Sequence, residues 1–214
     1  MKPSEKYKLD ERNHVERPLL DQLSGLGWEI IDLTEEKQTP GHTFRDNFTE
    51  VVMPGVLREQ IKKINPWLAH GQVEDVARQL TAGFPSTGLI ENNQYVLHLL
   101  LENTSVSENR ETGEQSPTVR FIDFDSDPLV NNRFIAVCQF KVRIIGTEHH
   151  IIPDILLFVN GLPLVLIECK SPKVKDAVPE AIDQILRYSE QRGAKKEGNA
   201  PLFYFNQFVI ATCR

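Results

Sequence analysis

Three charged side chains stand out in residues 149–172, a mostly apolar stretch that reads HHIIPDILLFVNGLPLVLIECKSP. They are Asp154, Glu168 and Lys170. Charged groups are seldom fully buried without a partner, because removing one from water has a large energetic cost. The stretch resembles a core hairpin, so these three side chains need partners, and the simplest partners are one another or a bound cation.

Two converging carboxylates are typical of a site for a hard cation such as Mg²⁺, which prefers oxygen ligands. A bound Mg²⁺ lowers the pKa of a water ligand and neutralises a phosphate oxygen. A neighbouring amine stabilises the negative charge that develops in the transition state. Two acids and an amine therefore favour phosphodiester hydrolysis.

The chemistry requires that the three side chains share one face of the sheet. Glu168 and Lys170 are two residues apart on one strand and point the same way. Asp154 joins them only if paired residue numbers across the hairpin have an even sum. A two-residue turn at Asn160-Gly161 would give an odd sum. We therefore predict a three-residue loop with Gly161 in the left-handed conformation, a G1-bulge hairpin.

The acid-x-lysine tripeptide is a weak signal by itself, because residues 35–37 carry another one in a polar loop. Only the second tripeptide ends an apolar strand and follows a Pro-Asp pair. The alternative is structural, with a Glu168–Lys170 ion pair and Asp154 capping a strand end.

A second signal lies downstream, where Gln184 and Tyr188 are four residues apart on a predicted helix and so share a face. The alternative is a tyrosine ring packed in the core beside a solvated glutamine.

The remaining elements follow from periodicity and turn residues. Helices are expected at residues 13–26, 54–64, 72–82 and 176–192. Strands are expected at residues 28–33, 94–101, 119–124, 133–145, 151–159, 163–170 and 202–212. Four of these strands should form an antiparallel core sheet, and the helix between the last two strands implies a crossover. The predicted class is α/β, a mixed central sheet flanked by helices with an N-terminal helical subdomain.

Three regions are expected along the chain. Residues 1–12 form a polar N-terminal arm. Residues 13–118 hold the first helix, the first strand, the helical subdomain and a flexible loop at residues 102–118. Residues 119–214 form the core that carries the charged hairpin.

Composition excludes some classes of protein. The formal net charge of −6 does not fit an autonomous, strongly basic nucleic-acid binder. Three widely spaced cysteines favour a reduced compartment and cytoplasmic localisation. The longest apolar run is short and interrupted by a turn, so no membrane association is expected.

The order Pro153-Asp154, Glu168-Cys169-Lys170 and Gln184-x-x-x-Tyr188 resembles the PD-(D/E)xK nucleases, in particular the branch that carries QxxxY. The wider pattern is similar to the N-terminal endonuclease domain of the restriction (R) subunit of type I restriction-modification enzymes. The similarity spans most of the chain and is strongest from Arg133 onward.

This resemblance implies that Asp154 and Glu168 hold Mg²⁺, for which Mn²⁺ can substitute, with the backbone carbonyl of Cys169 as a further ligand. It implies that Lys170 orients the attacking water and stabilises charge on the phosphate.

The resemblance also implies that Gln184 and Tyr188 support the site or contact DNA. An acidic residue on the first helix often completes such sites, and Glu16 is the candidate. The alternative for Glu16 is a capping box with Asn13 at the start of that helix.

For partners, the resemblance implies double-stranded DNA as substrate and the methyltransferase and specificity subunits of a restriction complex. ATP is expected only for the motor of the full-length subunit, because this chain carries no GxxxxGK[ST] phosphate loop. We expect the chain to be the N-terminal fragment of a longer polypeptide. Two alternatives are a non-catalytic docking domain of the same fold and a PD-(D/E)xK nuclease outside restriction.

Overall fold

The computed structural model describes residues 11–34, 37–102, 104–125 and 128–213. The predicted polar arm lies mostly outside the described residues. Within the described part of the chain, no helix combines the length and apolar character that a membrane crossing requires.

The helices and strands follow one another with short connections. A π-helical turn at Arg12–Glu16 leads into α1 (Arg17–Gly25), and the later helices are α2 (Pro54–Ile64), α3 (His70–Thr81), α4 (Leu89–Glu102), α5 (Pro128–Asn131), α6 (Ala177–Tyr188) and α7 (Ala200–Phe205). The strands are β1 (Glu29–Asp32), β2 (Thr104–Ser105), β3 (Thr118–Val119), β4 (Phe134–Cys138), β5 (Val142–Arg143), β6 (His150–Ile151), β7 (Ile155–Val159), β8 (Leu162–Cys169) and β9 (Phe208–Thr212).

The central sheet has five strands in the order β1-β4-β7-β8-β9. The inner pairs β4–β7 and β7–β8 are antiparallel, whereas β1–β4 and β8–β9 are parallel. Helices α6 and α7 connect β8 to β9, as the predicted crossover requires. This mixed, helix-flanked sheet with helices α2 to α4 in the N-terminal half confirms the predicted α/β class.

The two faces of the sheet bury different layers. On one face, Ala136, Ile155 and Ile167 pack with Leu20 and Leu23 of α1. On the other face, Leu156, Phe158 and Leu166 belong to a larger cluster that includes residues of α2, α3, α4 and α7. Alternate residues of β7 and β8 therefore contact different layers, which explains why these strands are apolar on both sides.

Residues 94–101 were predicted to be extended, and this prediction is wrong because they lie in α4. The buried residues Leu99 and Leu100 follow the buried Val96 by three and four residues, which is the spacing of one helical face. The short apolar run lacked the flanking signals that separate a buried helix from a strand.

The predicted strand at residues 202–212 is wrong in its first half, which forms α7. Asn199 begins this helix, since its side chain accepts a hydrogen bond of 3.1 Å from the backbone N–H of Leu202. Only Phe208–Thr212 pairs with β8.

The predicted strand at residues 119–124 is also wrong. Thr118 and Val119 form β3, which pairs with β2 outside the central sheet, and the next residues are bends and loop. The flexibility of residues 102–118 stays a prediction. The division at residue 118 stays one as well, although β1 pairs with β4 across that boundary.

Candidate functional site

The turn between β7 and β8 differs from the prediction. Val159 pairs directly with Leu162, so the connection is the two-residue turn Asn160-Gly161, with φ angles of 53° and 84°. The predicted three-residue loop is wrong. Positive φ at both central residues is the geometry of a type I′ turn, for which Asn-Gly is the preferred sequence.

Tertiary contacts favour this turn. The buried Asn160 side chain donates hydrogen bonds of 2.8 Å to the Phe121 carbonyl and to Asn132 Oδ1. Its own oxygen accepts one of 2.8 Å from the backbone N–H of Arg133. The Gly161 carbonyl accepts a hydrogen bond of 2.9 Å from the Met53 N–H at the start of α2.

A bulge in β8 places Asp154 and Glu168 on the same face of the sheet, as the proposed chemistry requires. Phe158 pairs with Pro163 but Leu157 pairs with Val165, so Leu164 is an extra residue in β8. The Leu164 carbonyl instead accepts a hydrogen bond of 2.7 Å from the backbone N–H of Gln207. Beyond the bulge the sum of paired numbers is even, as in Ile155 with Ile167. Asp154 therefore lies opposite Glu168, one step further along the ladder.

Glu168 is fully buried, and its two carboxylate oxygens have different surroundings. Oε1 accepts hydrogen bonds from Lys170 Nζ at 3.0 Å and from the side-chain amide of Gln184. Oε2 is buried without a hydrogen-bond partner among the described residues. A buried carboxylate oxygen without a partner is rare in folded proteins, and either a bound cation or a proton shared with Asp154 would satisfy this one.

The protonation of Glu168 reflects this burial. Its pKa is raised to about 8, chiefly by desolvation and next by the nearby Asp154 carboxylate, while the Lys170 ammonium opposes both effects. A divalent cation would reverse the balance, because it stabilises the ionised form.

Lys170 Nζ also donates a hydrogen bond of 3.0 Å to the Cys169 carbonyl. The amine thus bridges the Glu168 side chain and the backbone group that the resemblance implies as a metal ligand. A carbonyl oxygen has a second lone pair, so this contact is compatible with ligation by Cys169.

Asp154 lies at the end of β7 and is 6% exposed. Its Oδ2 accepts a hydrogen bond of 2.8 Å from the Cys169 N–H, and its Oδ1 accepts one of 3.2 Å from the side-chain amide of Gln139. Gln139 follows β4 with a φ of 63°, an uncommon backbone conformation for a residue with a side chain. Asp154 is thus held from two neighbouring strands.

The N-terminal segment supplies further carboxylates. One oxygen each from Glu11, Glu16 and Asp154 lies within 4.8 Å of the others, a spacing that can hold a metal ion. Among the described residues, Glu168 is not a member of this group of three. The structure therefore places Glu16 beside Asp154, and it adds Glu11.

The predicted capping box is not formed. Asn13 lies inside the π-helical turn, and its side-chain oxygen accepts a hydrogen bond of 2.8 Å from Arg17. The Glu16 carboxylate instead accepts hydrogen bonds from Arg12 NH1 at 2.8 Å and from Cys138 Sγ at 3.3 Å.

Glu11 was not predicted as a site residue, because residues 1–12 were interpreted as a polar arm and the first helix was expected to begin at residue 13. An α-helix extended back to Glu11 would also not bring it beside Glu16. Residues five apart are separated by about 140° around an α-helix, so Glu11 and Glu16 would diverge. In the structure the Arg17 N–H bonds to the Arg12 carbonyl, five residues back, and this wider turn stacks Glu11 near Glu16. Single π-helical turns are rare and often occur at functional sites, and no residue type in the sequence marks this one.

Gln184 and Tyr188 also reach the site. The Gln184 amide contacts Glu168 Oε1 and donates a hydrogen bond of 2.8 Å to the Tyr188 hydroxyl. That hydroxyl donates one of 3.3 Å to the Ile152 carbonyl. The tyrosine ring is buried, as the structural alternative expected, but the glutamine points at Glu168 rather than into solvent.

Comparison with known proteins identifies the family of this chain. The family described as the N terminus of the type I restriction enzyme R protein matches residues 8–213. The chain belongs to this family. It is 35% identical over 199 residues to the type I restriction enzyme HindI endonuclease subunit of Haemophilus influenzae, covering 92% of this chain and 18% of that protein.

A second relative is the putative type I restriction enzyme MjaIXP endonuclease subunit of Methanocaldococcus jannaschii. It is 27% identical over 186 residues, which cover 84% of this chain and 17% of that protein. The chain thus spans less than a fifth of the length of these relatives.

Proposed function

We propose that this R-protein N-terminal domain is a Mg²⁺-dependent endodeoxyribonuclease that hydrolyses DNA phosphodiester bonds within a type I restriction complex. The observation that carries the proposal is the pair of carboxylates at the adjacent ends of β7 and β8, where Asp154 immediately precedes β7 and Glu168 lies in β8. Asp154 faces Glu168, Lys170 contacts one oxygen of Glu168 at 3.0 Å, and the other oxygen is buried without a partner in the part of the chain that the structure describes.

The donor set fits a hard divalent cation. Asp154 and Glu168 would hold Mg²⁺ with the Cys169 carbonyl, and Glu16 and Glu11 lie where they would add ligands. When bound, Mg²⁺ would supply charge neutralisation at a phosphate oxygen and a lowered water pKa. Mn²⁺ has the same preference for oxygen ligands and would substitute.

The remaining roles belong to side chains of this chain. Burial lowers the pKa of Lys170, but the neighbouring carboxylates, Glu168 foremost, outweigh it and raise the pKa overall, so the amine stays protonated. It would orient the attacking water and stabilise charge on the scissile phosphate. Gln184 would hold Glu168 in place, with Tyr188 supporting the glutamine.

Double-stranded DNA is the proposed substrate, and the methyltransferase and specificity subunits are the proposed partners. A net charge of −6 fits a nuclease domain to which other parts of a complex deliver DNA. ATP would serve a motor elsewhere in the full-length subunit.

The test is DNA cleavage by the assembled restriction enzyme that contains this domain. Asp154→Asn, Glu168→Gln and Lys170→Ala should each reduce cleavage by about 100-fold or more. Translocation and complex assembly should be unchanged. The matched control is Arg133→Ala, which removes a surface ion pair with Glu29 outside the site.

Specific contacts also favour one alternative, a non-catalytic docking domain of the same fold. The Glu168–Lys170 ion pair and the hydrogen bond from Cys169 to Asp154 are the contacts that a purely structural site would have. A non-catalytic docking domain would keep cleavage in all three variants and lose subunit assembly instead. The unpartnered Glu168 oxygen and the nearby Glu11 and Glu16 favour the nuclease.

A further inference from the structure

We propose that Arg12 is a positioning residue for the metal site, which it shapes by fixing one oxygen of Glu16. This inference rests on the proposed function, since it assumes that Glu16 binds the cation. It assigns a role to a residue that neither the sequence pattern nor the family resemblance singled out.

The guanidinium of Arg12 has three acceptors from three separate elements. It bonds Glu16 Oε2 at 2.8 Å within its own turn, Cys138 Sγ at 3.1 Å on β4, and the Asp32 carboxylate on β1. The Arg12 side chain is only 18% exposed. Such a three-way contact suits the planar, forked arginine side chain and no other cation.

The contact with Asp32 is itself fixed. Asp32 Oδ1 accepts hydrogen bonds of 2.6 Å and 3.1 Å from the hydroxyl and backbone N–H of Thr34. Its other oxygen faces Arg12. Arg12 therefore connects Glu16 to an anchored carboxylate of the central sheet.

Glu16 is oriented by these contacts. Its Oε2 accepts both the Arg12 bond and a bond of 3.3 Å from the Cys138 thiol, and the residue is 4% exposed. With Oε2 occupied twice, Oε1 is the oxygen that remains for the group with Glu11 and Asp154.

The position of Arg12 within the π-helical turn adds a second effect. Its carbonyl accepts the five-residue hydrogen bond from Arg17 that makes the turn wider. Its side chain ties the same turn to β1 and β4. Both contacts hold the turn that carries Glu16 against these two strands.

The effect of Arg12 on charge and its effect on positioning predict opposite changes in metal affinity. Removing a cation beside three carboxylates should strengthen the attraction for a metal ion, whereas losing a positioning contact should weaken binding. Outer residues that orient metal ligands typically contribute about 10- to 100-fold to metal affinity. We therefore expect Arg12→Ala to weaken Mn²⁺ binding about tenfold.

The experiment is a Mn²⁺ titration of the full chain, followed by the electron paramagnetic resonance signal of the free ion. Arg12→Ala is compared with wild type, and the matched control is Arg133→Ala, which also pairs with a carboxylate on β1 but at the other end of that strand. The control should bind Mn²⁺ as wild type does. Thermal unfolding by circular dichroism verifies that each variant folds.

A double-mutant cycle separates positioning from a general structural effect. If Arg12 acts through Glu16, then Arg12→Ala should add less than about twofold to the loss already caused by Glu16→Gln. If Arg12→Ala does not fold, Arg12→Lys replaces it. A single amine cannot span Glu16 and Asp32 together, so this variant should also weaken binding.

Each result has a distinct meaning. Unchanged or tighter Mn²⁺ binding in the Arg12 variants, with weaker binding in Glu16→Gln, overturns the positioning role and leaves the proposed function standing. Additive losses in the cycle overturn it as well. A wild-type chain that binds no Mn²⁺ overturns both proposals.

Discussion

The candidate site is built from two regions that are held in different ways. The β7–β8 hairpin is fixed by a backbone ladder and carries Asp154 and Glu168. The N-terminal segment at residues 11–16 carries Glu11 and Glu16, and side-chain contacts from Arg12 fix it to the sheet. A ladder sets residue positions through many backbone hydrogen bonds, whereas the segment depends on a few side chains.

We call the β7–β8 hairpin the rigid half of the site and residues 11–16 the adjustable half. Helix termini and segments with few backbone bonds to the rest of the fold open at lower free energy than central strands do. The hairpin should therefore keep its geometry without the N-terminal segment. The N-terminal segment, in contrast, depends on the hairpin, because Glu11 and Glu16 form a candidate metal site only together with Asp154.

The largest expected effect tests which half dominates metal binding. Glu168→Gln replaces the buried carboxylate that we propose as a ligand with an amide of nearly the same shape and should weaken Mn²⁺ binding by about 100-fold or more. Glu11→Gln should weaken it only about tenfold. Glu74→Gln, in an ion pair with Arg58 away from the site, is the control. Equal losses in Glu11→Gln and Glu168→Gln would contradict the division into two halves.

A second prediction concerns the turn that sets the register of the rigid half. A Cβ atom on Gly161 would lie 2.8 Å from the Met53 carbonyl oxygen and 2.9 Å from the Leu57 nitrogen, at a φ of 84°. Gly161→Ala should therefore lower the free energy of unfolding by about 3 kcal/mol, measured by urea denaturation.

Gly146→Ala is the matched control for this prediction. Gly146 also has a positive φ, 73°, but a Cβ there would meet nothing within 4 Å. Its loss should be about 1 kcal/mol, from backbone strain alone. Similar losses at both glycines would mean that the close approach of α2 to the turn has no effect on stability.

The sequence predicted the rigid half better than the adjustable half. The apolar runs and the pattern around Asp154 and Glu168 predicted β7, β8 and a shared face. The route to that face was wrong, because the extra residue is Leu164 within β8 and not part of the turn. The contacts of Asn160 with distant loops and of Leu164 with Gln207 favour this arrangement, and neither is visible in local sequence.

The adjustable half was predicted only in part. Glu16 entered through family resemblance. Glu11 was missed because it was assigned to the polar arm, and the π-helical turn that brings it near Glu16 has no sequence signature. The errors at residues 94–101 and 202–207 have a related cause. In each, packing or a cap outside the predicted element selected a helix over a strand.

A third prediction uses the pH dependence of the metal-free chain. The pKa of Glu168 is raised from 4.5 to about 8, so the folded state retains a proton that the unfolded state has lost between these values. The unfolded state therefore binds fewer protons, and stability falls as pH rises from about 4.5 to about 8. Glu168→Gln should flatten this slope in urea unfolding series.

Metal binding should show the opposite trend, which sharpens the contrast between apo and metal-bound protein. Binding requires the Glu168 carboxylate, so Mn²⁺ affinity should rise with pH up to about 8 and release a proton below it. The pKa of Glu11 is also raised, chiefly by burial and next by Asp154, so it contributes with the same sign. If Glu168→Gln leaves the pH dependence of Mn²⁺ affinity unchanged, that dependence comes from Glu11 in the adjustable half.

The smallest expected effect concerns support of the rigid half by α6. Tyr188→Phe removes the hydroxyl that accepts the 2.8 Å bond from Gln184 and donates to the Ile152 carbonyl. Unfolding free energy should fall by about 1 kcal/mol, the net contribution of a typical hydrogen bond. Mn²⁺ affinity should change less than about threefold, because Gln184 still contacts Glu168.

Tyr204→Phe is the control for Tyr188→Phe, since the Tyr204 ring packs against Phe84 at 4.9 Å and remains in the phenylalanine variant. It should leave both stability and Mn²⁺ affinity close to wild type. If Tyr188→Phe lowers Mn²⁺ affinity as much as Glu11→Gln does, then Glu168 depends on its α6 contacts for position. The hairpin ladder would then not be sufficient to fix the rigid half, and the two halves would both rely on side-chain support.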